Sequence, residues 1–291
     1  MARLSERLAE NTAGEFYVDR TCIDCDTCRR IAPRVFEEGT GFSYVGRQPE
    51  GEAERLRALM ALVACPTASI GTSSRASAAA GVAAFPEAIE DGIFFCGFTS
   101  EDSFGAWSYL VRRAEGNALI DSPRAAAPLL KRIEDLGGIR MMFLTHRDDV
   151  ADHEAFHRRF GCERILHEND VGAGTRGVER KLRGEDPVRL AGDLVAIPVP
   201  GHTRGHAVLL YRDTYLFTGD HLAWSPERQE LRAFRDACWY SWEEQTRSME
   251  RLLDYRFEWV LPGHGWRHHA PSAAAMRADL ERCVAWMRTR R

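Results

Sequence analysis

The chain reads as a two-part α/β protein: a small α+β unit held by cysteines, then a larger layered α/β domain. Three observations predict this. Cys22, Cys25, Cys28 and Cys65 cluster near the start. The stretch from Thr72 to Ala84, TSSRASAAAGVAA, is small, polar and nearly featureless, and reads as a linker. Beyond it, apolar runs alternate with helical patterns, and several runs end at a polar residue. The boundaries follow as 1–72, 73–85 and 86–291, and a length of 291 residues suits two domains.

In the first part, Phe16-Tyr17-Val18 reads as a strand before the cysteine loop. Arg29 to Phe36 reads as a helical turn interrupted by Pro33, and Phe42 to Val45 as a second strand. Leu56, Leu59, Met60 and Val63 recur at helical spacing, so a helix leads to Cys65. In the second part, strands are predicted at Gly92–Phe95, Ala118–Ile120, Ile139–Leu144, Val195–Val199, Ala207–Tyr211, Tyr215–Thr218 and Trp259–Leu261. One helix opens at Ser122-Pro123 and another at Asp152. Ser241-Trp-Glu-Glu244 is a capping box, and Ser272 caps a last helix with Met276, Leu280, Val284 and Met287 inward.

Charge and composition exclude several classes. A formal charge of −4 gives no electrostatic reason to expect nucleic acid or a membrane surface as partner. The basic run Arg176, Arg180, Lys181, Arg183 and the basic end Arg288, Arg290, Arg291 read as solvated surface. No apolar run has the length of a bilayer span, and the charged N-terminus lacks a signal core, so a cytoplasmic location is expected. Cys96, Cys162, Cys238 and Cys283 are isolated, as buried thiols of a reducing compartment are.

The cysteine spacing carries the first chemistry. Cys22-x-x-Cys25-x-x-Cys28 lets successive thiolates converge on one cluster, and Cys65 is followed at once by Pro66. Zinc shares the Cys-x-x-Cys spacing, but three cysteines in this series with a later Cys-Pro favour iron–sulfur. Together with Val18-Asp19 and Ala32-Pro33-Arg34-Val35-Phe36, the segment resembles single-cluster bacterial ferredoxins. One [4Fe-4S] cluster on these four cysteines is expected.

The second chemistry lies downstream. Strand-like runs lead into Thr145-His146-Arg-Asp148-Asp149-Val-Ala-Asp152-His153, Gly201-His202-Thr-Arg-Gly-His206, Thr218-Gly-Asp220 and Pro262-Gly-His264. Imidazole with carboxylate suits zinc, iron and manganese. This order resembles the metallo-β-lactamase superfamily, especially its glyoxalase II-like branch, over roughly residues 86 to 270. The resemblance implies an αββα sandwich with one or two divalent metals, zinc or iron, at one edge. It also implies that His146 and His202 hold the first metal and that Asp220 bridges to the second. Asp152, His153 and His264 would complete the second site, with Asp152 holding or deprotonating a water. The family's His-x-His-x-Asp-His is altered here: the opening segment is two residues longer, and no second histidine follows His146. Either Asp148 or Asp149 replaces that ligand, or the first site is depleted.

His206 reads as a positioning residue, the aromatics Trp224, Trp239, Tyr240 and Trp242 as core or pocket wall, and glycine-rich Asn169 to Asp186 as a solvent loop or lid. The resemblance points first to a metal-dependent hydrolase of a thioester, ester or lactone. The second expectation is an iron oxidoreductase of persulfide-dioxygenase type, with His146, His202 and Asp220 on one iron fed by the cluster. A non-catalytic redox sensor is the third. The expected partners are a small-molecule substrate and a redox partner protein.

Overall fold

In the computed structural model, which describes residues 2–74 and 76–290, two short antiparallel strand pairs frame the cysteines. Phe16–Val18 pairs with Ile70–Thr72, and Phe36–Glu38 with Ser43–Val45. Helix Thr27–Ile31 contains Cys28, and helix Gly51–Ala64 ends at Cys65. Leu59, Met60 and Val63 are buried, but Leu56, expected on the same face, is 37 % exposed. The buried stripe is turned toward Ala58, Ala61 and Ala64, whose small side chains admit a neighbouring backbone. Met1, Arg75 of the linker stretch and Arg291 of the basic end lie outside the described residues.

The chain divides into two units, residues 1–140 with 151–161, and residues 141–150 with 162–291. In the first, the stretch read as a linker carries a short helix, Ala79–Ala83. A Cβ built on Gly81 would come within 2.5 Å of the Leu59 carbonyl oxygen, so the glycine lets this helix lie directly on Gly51–Ala64. The low-complexity residues thus serve close packing. Strands Glu87–Glu90, Ile93–Phe95, Tyr109–Val111 and Ala118–Ile120 follow as an antiparallel meander. The cysteine segment is docked on this part of the same unit. Thr27 donates to the Gly105 carbonyl at 2.9 Å, and Thr99 to the Ala64 carbonyl at 2.6 Å. Arg124 donates to the carbonyls of Val63 and Cys65, and the Arg30 guanidinium lies 4.5 Å from the Trp107 ring centroid.

In the second unit, Met141–Phe143, Glu163–His167 and Arg180–Leu182 pair in parallel. A six-stranded sheet follows in the order Val188–Ala191, Leu194–Pro198, Ala207–Tyr211, Tyr215–Gly219, Trp259–Pro262, His268–His269. Its pairs are antiparallel except Tyr215–Gly219 with Trp259–Pro262. Helices Trp242–Arg251 and Ala273–Arg288 are capped by Ser241 and Ser272. Met249, Met276, Leu280, Val284 and Met287 seal a core with Ile197, Val208, Leu216 and Val260.

Strand direction assembles the edge that matters. The parallel pair ends together, so Asp220 and His264 emerge side by side. Leu209 opposes Phe217 in the antiparallel pair, so His206, just before its strand, meets Asp220, just after its own. Segment 169–186 is pinned rather than lid-like. Arg164 donates to the Gly177 carbonyl at 2.6 Å and to both Glu179 oxygens. Burial would raise the Glu179 pKa, yet its Arg164 bonds hold it at about 2. A depressed carboxylate stabilises the fold above its unfolded value, and that contribution fades as pH falls from 4.5 toward 2. Glu179→Gln is expected to lower stability at pH 7 by on the order of 1 kcal/mol, a figure discounted because the carboxylate is partly exposed. Urea unfolding should show the gap to wild type closing across that window, and a gap that persists at pH 2 refutes this account.

Candidate metal centre

The four cysteines line one cavity together with Thr27, Ser43, Pro66 and Ser69. Backbone amides of Ser43 and Ser69 donate to the sulfurs of Cys22 and Cys65, each at 3.3 Å. Such bonds stabilise thiolate charge and tune cluster potentials. Burial pushes the Cys25 thiol up to about 11, and lifts Cys22 and Cys28 above the ordinary thiol range as well. Thiolates crowded this closely persist only against a compensating cation. The donor set therefore fits a four-cysteine cluster.

The second centre forms at the strand edge of the second unit. His146 follows Met141–Phe143 and is completely buried. The Thr145 hydroxyl lies 2.9 Å from His146 Nδ1, which turns Nε2 inward. Gly219 makes this possible: at φ +48° its Cβ would stand 2.4 Å from Thr145 Oγ1. His146 Nε2 lies 3.8 Å from Asp148 Oδ2 and 3.7 Å from Asp220 Oδ2. His202 Nε2 lies 3.4 Å and 3.8 Å from the same two oxygens. Ligands at about 2.05 Å from a tetrahedral ion are about 3.3 Å apart, so this spacing suits one shared cation. The inward nitrogens of His146 and His202 are buried without a hydrogen bond, the state expected of metal donors.

Electrostatics agree with the geometry. Burial lowers the pKa of His146 to about 4, against the opposing pull of Asp220. Burial also lowers His206 well below the usual range, and His221 to about 3. Burial alone would raise Asp220, but His264, His146 and His202 hold its carboxyl far below the ordinary range. Neutral imidazoles facing an ionised carboxylate are the protonation states a divalent cation takes up.

Among the described residues, two overlapping sets bring donor atoms close enough for an ion: His146, Asp148 and His202, and His146, Asp149 and Asp220. A Cβ on Gly263 would lie 2.8 Å from Asp149 Oδ2 and 3.1 Å from Asp220 Oδ1, so that glycine leaves the space between the carboxylates open. His264 Nδ1 sits 2.7 Å from Asp220 Oδ1. His206 Nε2 accepts from the Asp220 amide at 3.3 Å, fixing the backbone of that residue. Asp152 and His153 belong to neither set. They cap and open helix His153–Phe160 in the first unit, where Asp152 Oδ2 accepts from the Ala125 amide at 2.8 Å. Trp239 and Tyr240 are exposed, and the Trp239 ring centroid lies 6.2 Å from that of His202.

Asp170 was not singled out by sequence. It is buried and accepts from the Arg147 amide at 3.1 Å, from Thr203 at 2.5 Å and from the Gly205 amide at 2.7 Å. One carboxylate thus ties together the loops that carry His146 and His202. Its signal was a polar residue just past a strand, Glu163–His167, that sequence reasoning did not predict. Asp170→Ala is expected to cost about 3 kcal/mol or more, because three donors lose a charged acceptor. Metal affinity should fall about 10–100-fold. Unchanged urea stability together with unchanged metal titration would count against this role.

Comparison with known proteins follows the same division. Residues 18–72 match the family described as 4Fe-4S single cluster domain of Ferredoxin I. No curated protein sequence matches the chain. Among solved structures, DIM-1 metallo-β-lactamase is similar with a TM-score of 0.55 at 17% identity, over 70% of this chain and 97% of that one. The metallo-β-lactamase from Pontibacter korlensis is similar with a TM-score of 0.51 at 17% identity, over 67% of this chain and 97% of that one. Identity this low speaks to fold alone. The chain therefore joins a 4Fe-4S ferredoxin-type segment to a metallo-β-lactamase fold.

Proposed function

We propose that the chain is an oxidoreductase acting on a small molecule at one iron held by His146, His202 and Asp220, with Asp148 beside them. The observation that carries this reading is the docked cluster segment. Thr27, next in the chain but one to Cys25, and the carbonyl of Cys65 itself are hydrogen-bonded into the first unit. A cluster held by its own ligand loops keeps a fixed place within the first unit, which a free tether would not give it. Two imidazoles with carboxylates and open positions also suit iron. An iron bound there would supply one-electron chemistry and open coordination positions. The residues of the chain do the rest. Thr145 and Asp170 orient the histidine loops, His206 fixes Asp220, and the exposed Trp239 ring stands beside His202.

Hydrolysis is the second reading, and one observation favours it. The set His146, Asp149 and Asp220 offers a neighbouring cation position, and Asp220, which also stands 3.8 Å from His202, would lie between two metals. Asp148, with 43% of its side chain exposed, would then be the carboxylate available to take a proton from water. Metal analysis of the anaerobically purified full chain separates the readings. About five irons per chain, four of them in the cluster, are expected. Zinc at the second centre beside a complete cluster would overturn the oxidoreductase reading in favour of hydrolysis.

A further inference from the structure

A solvent-open cavity of about 500 Å³ lies in the second unit, lined by Arg228, Arg232, Arg235, Arg290, Phe234 and Trp286. Asp236 is the carboxylate in its lining. About half of the described arginines meet an acidic partner, as Arg164 meets Glu179, Arg251 meets Glu185 and Arg288 meets Glu250. Arg232 is likewise paired, with Glu230, and its guanidinium carbon stands 4.0 Å from the Trp286 ring centroid. Its Nε is buried without a hydrogen bond. Arg228, Arg235 and Arg290 have no carboxylate partner among the described residues. Gathering unneutralised guanidinium groups around one opening, in a chain of net charge −4, costs repulsion that a bound anion would relieve.

The same segment reaches the metal centre at two points. Phe234 lies against Gly265, where a Cβ would stand 3.1 Å from its ring, and Gly265 follows His264. Farther along, the Trp239 amide donates to the His202 carbonyl at 2.9 Å. The cavity wall thus touches the loop that carries His264 through Phe234, and its segment continues to the residue that backs His202.

We infer that this cavity binds the phosphates of a nucleoside-diphosphate-type ligand, with the planar ring against Phe234. Guanidinium forks match phosphate oxygens in pairs, and an aromatic side chain accepts a base. The size suits such a ligand. The inference concerns binding and holds for either chemistry at the metal centre.

Calorimetric titration of the full-length, anaerobically purified protein with ADP, pyrophosphate and adenosine tests it. ADP is expected to bind, at least about tenfold more tightly than pyrophosphate, with adenosine weaker than both. Arg228→Ala and Arg235→Ala should each weaken ADP by about tenfold or more, while Arg235→Lys, which keeps charge but not the fork, should weaken it less. Both substituted arginines are solvent-exposed, so folding is not at stake. No binding of ADP up to about 5 mM, equal binding of ADP and pyrophosphate, or unaltered affinity in the alanine variants would each overturn the inference. Metal content is read separately, so these outcomes leave the assignment of the centre untouched.

Discussion

Asp220→Ala is expected to strip the second metal centre almost completely, with affinity falling by more than the ~10–100-fold typical of residues that only orient ligands. Asp220 is the more buried of the two carboxylates that both imidazoles face, at 3.7 Å from His146 and 3.8 Å from His202. It is also the partner of His264 at 2.7 Å. Removing it leaves three imidazoles around a site with less negative charge, which a divalent cation occupies less readily. His202→Ala should lose one donor and weaken binding less. His206→Ala should weaken it least, because His206 Nε2 is engaged with the Asp220 amide and acts through that backbone. Metal titration monitored by competition with a chelator orders the three variants. An order in which His206→Ala is the most damaging would sink the assignment.

Cys28→Ser is expected to abolish the cluster and loosen the segment around it. Cys28 is buried within helix Thr27–Ile31 and shares its cavity with the other three cysteines. The core there is small, built from Phe16, Val18, Ile31, Val35, Phe36 and Val45. A cluster that crosslinks four points of so short a segment contributes folding energy directly. The docking bonds from Thr27 to Gly105 and from Arg124 to the Cys65 carbonyl hold the segment only while the cysteine loops keep their shape. Visible absorbance and the electron paramagnetic resonance signal of the reduced protein should vanish, and proteolysis within residues 16–72 should accelerate. Cys238→Ser is the control, since its sulfur donates to the Gly201 carbonyl and lies outside the cluster. Survival of the cluster signal in Cys28→Ser would contradict the four-cysteine assignment.

Much of the architecture is local and was therefore legible. The capping serines at 241 and 272, the helix that ends at Cys65 and the strand ends before His146, Asp220 and His264 all depend on near neighbours in sequence. The strand Glu163–His167 was not legible. It begins with charged Glu163 and Arg164, and it is defined by pairing with Met141–Phe143 and Arg180–Leu182. The stretch read as a linker shows the same limit. Small residues look the same in a tether and in a tight helix contact, and the Leu59 carbonyl beside Gly81 distinguishes the two.

The sequence by itself singled out the four cysteines, and the histidines and aspartate at the strand ends, as candidate donors, because these residues sit at fixed short spacings or directly after apolar runs. Tertiary structure alone decided which acidic residues join them. Asp148 and Asp149 are adjacent in the chain yet belong to different donor sets, since the turn after Thr145 aims successive side chains differently. Asp152 faces the Ala125 amide instead. Asp170 gains its role because parallel pairing brings the ends of Met141–Phe143 and Glu163–His167 together, where three donors from two loops converge on one carboxylate. A carboxylate's function depends on which donors and charges surround it, and strand pairing sets those neighbours over distances that no local pattern spans.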